Sequence, residues 1–263
     1  MIFDELDALV CDLDGVVYRG DEEVPGSVAA LTSLRERGLS ILYLTNNSRS
    51  TIDQYLRKLR GLGLVVERDE ILTSAVVTAE TLADRGLAPG PVLVVGGEGV
   101  ERELTAAGFE IDGGDDPRLV VVGWDPRFDY DMMRRAVSAV RRGATLIATN
   151  ADTTFPAAGG DLWPGGGAIL ASIEAGAGAR AEVMGKPHAP MMDAAERRLG
   201  GARAVAAVGD RPGTDLAGAR SKGWRTILVL SGVVGRDELD RLEERPDVIA
   251  EDLAAAVRGE VLQ

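Results

Sequence analysis

Short apolar runs alternate with amphipathic stretches along most of the chain. Seven of these runs have the length and continuity of strands that are buried on both faces of a sheet. They are LDALVCD, LSILYLTNN, PVLVVGG, RLVVVGW, ATLIATN, AVAAVGD and WRTILVLSG. Between the runs, apolar residues recur at helical spacing, as at Ile52, Tyr55, Leu56 and Leu59. This alternation predicts an α/β fold in which helices cover a parallel sheet.

Turn and capping residues indicate where some of the predicted helices begin and end. One helix is expected after Pro25-Gly26 and ends at Gly38, because glycine readily adopts the left-handed conformation that follows a helix. Another is expected to begin near Ser50, which resembles a capping box together with Asp53. The segment PDVIAEDLAAAV predicts one last strand and helix near the end of the sequence.

Composition and charge narrow the classes of function. Of the 263 residues, 45% are hydrophobic, and 29 Lys and Arg against 42 Asp and Glu give a net charge of −13. Such an acidic chain repels nucleic acid and anionic membranes, so neither is predicted as a partner. The sequence begins without the basic segment of a signal peptide, and no apolar run approaches the roughly 18 residues of a membrane span. We therefore expect a cytoplasmic protein.

Polar residues follow several predicted strands, where parallel sheets bind their ligands. They are Asp12 and Asp14 after the first strand, Thr45 and Asn46 after the second, and Asp210, with Asp215 five residues later, after AVAAVG. Lys186 lies in the Gly-Lys-Pro segment that precedes that last strand. If these strand ends converge, one site holds several carboxylates, a hydroxyl group, amides and an ammonium group.

The two acidic residues after the first strand need a compensating charge. Asp12 and Asp14 are two positions apart and point the same way if the strand continues. Two charges about 4 Å apart repel by roughly 4 kcal/mol at an effective dielectric constant near 20, so a shared proton or a cation must offset them. With Asp210 added, a divalent cation is favoured. Oxygen ligands without His or Cys indicate Mg²⁺, which in turn favours a phosphorylated substrate.

Four motifs in this order resemble those of the haloacid dehalogenase superfamily, in its NagD-like and p-nitrophenyl phosphatase branch. They are DLDGVVYRG at 12–20, LTNNS at 44–48, GKP at 185–187 and GDRPGTD at 209–215. The resemblance implies a Rossmann-like core, with a parallel sheet and helices on both faces, into which an α/β cap is inserted. We expect the core to consist of residues 1–78 and 181–263 and the cap of residues 79–180.

The resemblance also implies catalytic and metal-binding roles. Asp12 would be the nucleophile that takes the phosphoryl group, and Asp14 the general acid and then the general base. Lys186 would neutralise charge on the phosphoryl group. Asp12, Asp210 and the backbone carbonyl of Asp14 would bind Mg²⁺. Asp215 would be either a further ligand or a partner of the ligands.

The remaining implied roles concern the substrate. Thr45, the backbone amide of Asn46, and Gly15 would contact the phosphate group together with Lys186. The cap residues that resemble the branch's specificity loop are Asn150, Asp152 and Phe155. Self-association through the cap is common among members of the branch, which makes a homodimer an expectation for this chain as well.

The predicted activity is Mg²⁺-dependent hydrolysis of small phosphomonoesters through an aspartyl-phosphate. The candidate substrates are sugar phosphates, phosphoglycolate, glycerol phosphate and nucleotides, with p-nitrophenyl phosphate as an artificial one. Two alternatives stay open: a phosphotransferase or phosphomutase, in which an alcohol replaces water, and a metabolite-binding relative without turnover. The intact set of Asp12, Asp14, Lys186 and Asp210 argues against the second alternative.

Overall fold

The predicted apolar runs form strands in the computed structural model, which describes residues 2–111, 114, 116–156 and 162–262. The strands are β1 Ala8–Cys11, β2 Tyr18–Arg19, β3 Glu22–Glu23, β4 Ser40–Thr45, β5 Ile71–Thr73, β6 Pro91–Val95, β7 Glu110–Ile111, β8 Leu119–Val122, β9 Thr145–Ala148, β10 Thr154–Pro156, β11 Leu162–Pro164, β12 Glu182–Val183, β13 Val205–Gly209, β14 Arg225–Val229 and β15 Val248–Ala250. All seven runs that were predicted as strands contain one.

The helices lie mostly between these strands, as the alternation of patterns predicts. They are α1 Ser27–Glu36, α2 Ile52–Gly61, α3 Ser74–Asp84, α4 Glu98–Ala106, α5 Tyr130–Arg141, α6 Gly166–Ala177, α7 Ala189–Arg198, α8 Ala217–Ser221 and α9 Leu253–Arg258. Among the described residues, no helix combines the length and the apolar character that crossing a membrane requires.

The start of α2 differs from the prediction by one residue. The N–H group of Gln54 donates to Oγ1 of Thr51 (3.2 Å), and the N–H group of Thr51 donates to Oε1 of Gln54 (2.8 Å). Thr51 and Gln54 therefore form the capping box that was expected at Ser50 and Asp53. The predicted end of α1 is confirmed, since Gly38 follows it with a φ of 87°.

Six strands form the first sheet, in the order β15-β14-β13-β1-β4-β5. The pairs from β15 to β4 are parallel, and Leu9 in β1 lies between Ala206 of β13 and Ile41 of β4. The chain continues from β1 to β4 on one side, whereas β13 occupies the other side, so the strand order reverses at β1. Parallel sheets bind ligands at the carboxyl ends of the strands beside such a reversal.

The second sheet has the order β12-β9-β8-β6-β7, and its pairs are all parallel. Successive side chains of a strand face opposite sides of the sheet, and here both sides are buried. Val94 of β6 and Val121 of β8 pack in a cluster with residues of α3 and α4. Val95 and Val120 pack in another cluster with residues of α5 and α6. Helices on both faces thus explain why these strands are continuously apolar.

Contacts divide the chain into two compact units. The first consists of Met1–Thr45, Tyr55–Leu72 and Met192–Gln263, and the second of Asn46–Gln54 and Thr73–Met191. The first sheet belongs to the first unit except for Thr73, the last residue of β5, and the second sheet belongs to the second unit. The predicted division into a core and a cap over residues 79–180 stays a prediction about domain boundaries.

Candidate active site

Three buried carboxylates meet at the carboxyl ends of β1 and β13 in the first unit. Asp12 follows β1, Asp210 follows β13, and Asp215 lies in the short helical turn Pro212–Leu216. One carboxylate oxygen from each lies within 4.8 Å of the others, and all three side chains are buried. The structure therefore brings together three of the predicted metal ligands, at the reversal of strand order.

Backbone N–H groups orient two of these carboxylates. The N–H group of Val233 donates to Oδ2 of Asp210 (2.8 Å), and the N–H group of Arg211 donates to Oδ2 of Asp215 (3.0 Å). Hydrogen bonds of this kind fix the direction of the carboxylate oxygen that accepts them. The acidic side chains are thus held in place by the loops that follow β13 and β14.

The donor set fits a divalent cation. Three carboxylates in a buried cluster repel one another, because little water screens their charges. Carboxylate oxygens are hard ligands, which suit Mg²⁺, Ca²⁺ or Mn²⁺, and no His or Cys ligand is part of this cluster. The residues present thus fit a divalent metal of the class that was predicted.

Two glycines allow the backbone to approach this cluster closely. Gly15 has a φ of 83°, and a Cβ atom there would lie 2.5 Å from Oδ2 of Asp210 and 2.9 Å from Cα of Gly232. A Cβ atom on Gly232 would also collide with the side chain of Asp210. Any larger residue at either position would therefore displace the Asp210 carboxylate.

We expect Gly15→Ala to lower turnover by about 100-fold or more, because misplacing a catalytic group by about 1 Å can have an effect of that size. The left-handed conformation also costs alanine roughly 1–2 kcal/mol. Gly20→Ala is the matched control, since Gly20 has a φ of 56° but nothing within 4 Å of its Cβ position. Steady-state kinetics of both variants check the prediction. Equal activity in the two variants would contradict it.

Asp14 lies beside this cluster in sequence but is not among its three carboxylates. It is half-buried in a tight loop in which the carbonyl oxygen of Leu13 accepts from the N–H group of Val17 (2.9 Å). The loop leads to Tyr18, whose ring is buried. Burial raises the pKa of Tyr18 well above its usual value, and the negative charge of Asp14 adds to this effect. The hydroxyl group of Tyr18 thus stays protonated beside the acidic residues.

Two of the predicted phosphate-binding residues, Asn46 and Lys186, lie in the second unit. The Oδ1 atom of Asn46 accepts from the N–H group of Lys186 (2.7 Å), and its Nδ2 atom donates to the carbonyl oxygen of Lys186 (3.1 Å). A Cβ atom on Gly185 would lie 2.5 Å from Oδ1 of Asn46. Lys186 is buried, and it follows β12. Thr45, the last residue of β4, is buried in the first unit.

Two of the three predicted specificity residues are connected to Asn46. The Nδ2 atom of Asn150 donates to the carbonyl oxygen of Asn46 (2.8 Å), and its Oδ1 atom accepts from the N–H group of Asp152 (3.1 Å). An oxygen of Asp152 accepts from Nδ2 of Asn46 (3.2 Å). Phe155 is paired with Trp163 in the β10–β11 hairpin, but its side chain lies outside the described residues.

Sequence reasoning missed the loop after β14. Ser231 donates through Oγ to the carbonyl oxygen of Gly15 (2.6 Å), and its own carbonyl oxygen accepts from Nε of Arg19. Together with Gly232 and the N–H group of Val233, it connects the Asp210 carboxylate to the loop that follows β1. The only signal for this loop in the sequence was the Ser-Gly-Val at 231–233, which lies at the end of a predicted strand but carries no titratable side chain.

Comparisons with known proteins give the family. Residues 9–110 match the family described as haloacid dehalogenase-like hydrolase, and residues 183–256 match one described as HAD-hydrolase-like. An acid sugar phosphatase of Staphylococcus saprophyticus is 34% identical over 253 residues, which cover 95% of this chain and 96% of the relative. The predicted superfamily is thus confirmed.

Solved structures agree with this result. The p-nitrophenyl phosphatase of Archaeoglobus fulgidus has a TM-score of 0.89 and 34% identity, covering 97% of this chain and 99% of that one. A glycerol phosphate phosphatase of Mycobacterium tuberculosis, solved with magnesium, has a TM-score of 0.86 and 35% identity, covering 96% and 76%. The predicted α/β fold with a cap, the branch and the class of enzyme, a phosphoric monoester hydrolase, are confirmed. The chain belongs to the haloacid dehalogenase-like hydrolases.

Proposed function

We propose that this protein hydrolyses small phosphomonoesters of the sugar-phosphate or glycerol-phosphate type, with Mg²⁺ and through an aspartyl-phosphate on Asp12. The observation that carries the proposal is the buried cluster of Asp12, Asp210 and Asp215 at the carboxyl ends of two adjacent strands. The substrate class is proposed because the chain is similar to an acid sugar phosphatase and to a glycerol phosphate phosphatase. A net charge of −13 also favours small metabolites over large polyanions.

The first step forms the aspartyl-phosphate. A carboxylate oxygen of Asp12 attacks phosphorus as the bond from phosphorus to the ester oxygen breaks. Asp14 donates a proton to that oxygen, so that the product leaves as an alcohol. In the second step water attacks phosphorus, Asp14 accepts its proton, and the bond from phosphorus to Asp12 breaks. The divalent cation, when bound, offsets the negative charge of the carboxylates and of the phosphoryl oxygens.

The remaining residues hold the phosphoryl group and the substrate. Lys186 supplies a positive charge to the phosphoryl oxygens, and Thr45, Gly15 and the backbone N–H group of Asn46 complete the phosphate site. The side chain of Asn46 has both its ends bonded to Lys186, which agrees with a phosphate contact through the Asn46 backbone.

The proposal also assigns substrate selection to Asn150, Asp152 and Phe155 in the cap. Asn150 and Asp152 belong to one hydrogen-bond network with Asn46, so a change in either would alter a residue of the phosphate site. The cap itself is proposed over residues 79–180.

Magnesium is proposed because the cluster offers only carboxylate oxygens and the mycobacterial relative was solved with this ion. Asp215 is proposed as either a direct ligand or a partner of the ligands, because its Oδ2 atom already accepts from the N–H group of Arg211.

A cytoplasmic location and a homodimer through the cap complete the proposal, and sedimentation velocity tests the homodimer.

The test is phosphate release from a panel of phosphomonoesters that includes sugar phosphates, glycerol phosphate and p-nitrophenyl phosphate. We expect turnover with Mg²⁺, a loss of about 100-fold or more in EDTA, and full recovery when Mg²⁺ is returned. Release that continues unchanged in EDTA would contradict the metal. A folded protein that binds Mg²⁺ but releases no phosphate from any ester would contradict the hydrolase. Transfer of phosphate to an added alcohol instead of water would favour a phosphotransferase.

A further inference from the structure

A lysine outside the acidic cluster holds the hairpin that follows Asp14. Lys58 lies in the part of α2 that belongs to the first unit, and its Nζ atom is 3.5 Å from the centroid of the Tyr18 ring. The same atom donates to the carbonyl oxygen of Gly20 and lies 3.7 Å from Oδ1 of Asp21. One ammonium group thus contacts three positions of the segment that forms β2, β3 and their turn.

The contact with the aromatic ring is the strongest of the side-chain contacts. Tyr18 is 1% exposed and the Lys58 side chain is 29% exposed, whereas the side chain of Asp21 is fully exposed. An ion pair with an exposed carboxylate is screened by water and contributes little. A cation over a buried aromatic ring is less hydrated, and its attraction to the ring is correspondingly larger. Of its two side-chain contacts with the hairpin, the one with the ring of Tyr18 therefore restrains the hairpin more.

Tyr18 is connected directly to the backbone at Asp14. The carbonyl oxygen of Tyr18 accepts from the N–H group of Gly15 (2.8 Å), and Asp14 and Tyr18 form an isolated bridge. The carbonyl oxygen of Leu13 closes the same loop by accepting from the N–H group of Val17 (2.9 Å). A displacement of Tyr18 therefore displaces the backbone of Asp14 and, with it, the Asp14 carboxyl group.

We propose that Lys58 is a positioning residue for Asp14 and acts through the ring of Tyr18. This inference rests on the proposed role of Asp14 as the general acid. A misplaced general acid slows the reaction only when the leaving group needs a proton. An alkyl alcohol needs one, because an alkoxide is a poor leaving group. A p-nitrophenolate leaves without one, because p-nitrophenol is a far stronger acid than an alkyl alcohol.

The experiment compares kcat/KM for glycerol phosphate and for p-nitrophenyl phosphate, measured with the full chain and Mg²⁺. This parameter reports the steps up to cleavage of the ester bond, so the later role of Asp14 as a base does not enter. For Lys58→Met we expect kcat/KM to fall about 10-fold with glycerol phosphate and less than about 2-fold with p-nitrophenyl phosphate. The larger loss is only a part of the roughly 10²- to 10⁴-fold that a general acid contributes, because Asp14 is displaced but still present. The ratio to be compared is kcat/KM for glycerol phosphate divided by kcat/KM for p-nitrophenyl phosphate. Lys58→Arg should keep this ratio at its wild-type value, because a guanidinium group also stacks on aromatic rings.

A matched control removes a lysine charge elsewhere in the first unit. Lys222 pairs with Asp193 (2.6 Å) and Glu196 (2.7 Å), away from the β2–β3 hairpin in sequence. We expect Lys222→Met to leave the ratio of the two kcat/KM values unchanged. Both substrates are measured on the same preparation, so a partly unfolded variant lowers both values alike and leaves the ratio intact.

Changes at Tyr18 test whether the effect passes through the ring. Tyr18→Phe keeps the ring, so adding Lys58→Met should change the ratio as it does in the wild type. Tyr18→Leu removes the ring, so adding Lys58→Met should change the ratio no further. If Tyr18→Leu does not fold, Tyr18→Phe with and without Lys58→Met still tests the proposal. The ring is intact in both of these variants, so the proposal would be overturned if Lys58→Met had no effect on the ratio in the Tyr18→Phe protein.

Other outcomes separate this inference from the proposed function. A ratio that Lys58→Met leaves unchanged, or equal losses with both esters, would overturn the role of Lys58. If Asp14→Asn still lowers the ratio by about 100-fold, the role of Asp14 stands and only the role of Lys58 fails. If Asp14→Asn also leaves the ratio unchanged, the general-acid role fails. A wild type that releases phosphate from neither ester would overturn the proposed function and this inference together.

Discussion

Asp12→Asn should reduce phosphate release to less than about a thousandth of the wild-type rate, because an amide oxygen is a poor nucleophile and cannot form the acyl phosphate. The wild type, quenched with acid during turnover of a ³²P-labelled ester, should carry label on the protein, and the variant should not. These two measurements check both the activity and the covalent intermediate. Activity above about a tenth of the wild type would show that another group attacks phosphorus.

The same variant should fold, and its stability gives an independent control. Asp12 is one of three buried carboxylates with oxygens within 4.8 Å of one another. Like charges at that separation repel by roughly 3 kcal/mol at an effective dielectric constant near 20. Without metal, we therefore expect Asp12→Asn to unfold at a higher temperature than the wild type. Asp240→Asn, at an exposed position of the same unit, should change neither activity nor stability.

The sequence predicts this cluster because the chemistry of strand ends is local. Asp12 and Asp210 each follow a run of apolar residues directly, and parallel strands place such residues at one edge of a sheet. The strand-end pattern did not determine whether β1 and β13 are neighbours in the sheet, since they are nearly 200 residues apart in sequence. The resemblance to a known family, and then the pairing of Cys11 with Val208, supplied that information.

The supporting contacts could not be predicted in the same way. Val233 donates to Asp210, and Lys58 lies over the ring of Tyr18, but neither position stands out in the sequence. An N–H group is present at every residue except proline, and most lysines are solvated surface residues. Such contacts depend on how distant loops fold over one another, and this is decided by tertiary packing.

The start of α2 was predicted one residue too early, although the capping box that fixes it is a local feature of the sequence. Ser50 and Thr51 are adjacent and both cap helices well, and Asp53 and Gln54 each lie three residues after one of them. The capping box usually has glutamate or glutamine at its last position, which favours Thr51 with Gln54 over the predicted pair of Ser50 with Asp53. The structure has the pair of Thr51 with Gln54, and Ile52 is then the first residue of the helix and is buried. The side chain of Gln54 is one methylene longer than that of Asp53, and it reaches back to the N–H group of the cap residue Thr51.

Asp210→Asn should abolish the activity of the protein and reduce its stabilisation by Mg²⁺ to less than about half of the wild-type value, because two of the three carboxylates in the cluster remain. An ion that binds only the folded state adds about 2.7 kcal/mol at 100 times its dissociation constant. For a chain of this size, that corresponds to roughly 5–10 °C in the unfolding midpoint. The wild type should show this rise on addition of Mg²⁺, measured by calorimetry. The variant should show less than about half of it, because one of three carboxylates in the cluster has become a neutral amide.

The substitution tests metal binding without removing the contact that orients residue 210. The amide oxygen of asparagine can still accept from the N–H group of Val233, which now donates to Oδ2 of Asp210. The variant also loses a buried negative charge, so in EDTA it should be at least as stable as the wild type. Asp240→Asn should keep the full rise with Mg²⁺. If Asp210→Asn keeps it as well, the ion binds elsewhere, and the buried carboxylates must be balanced by shared protons instead of a metal.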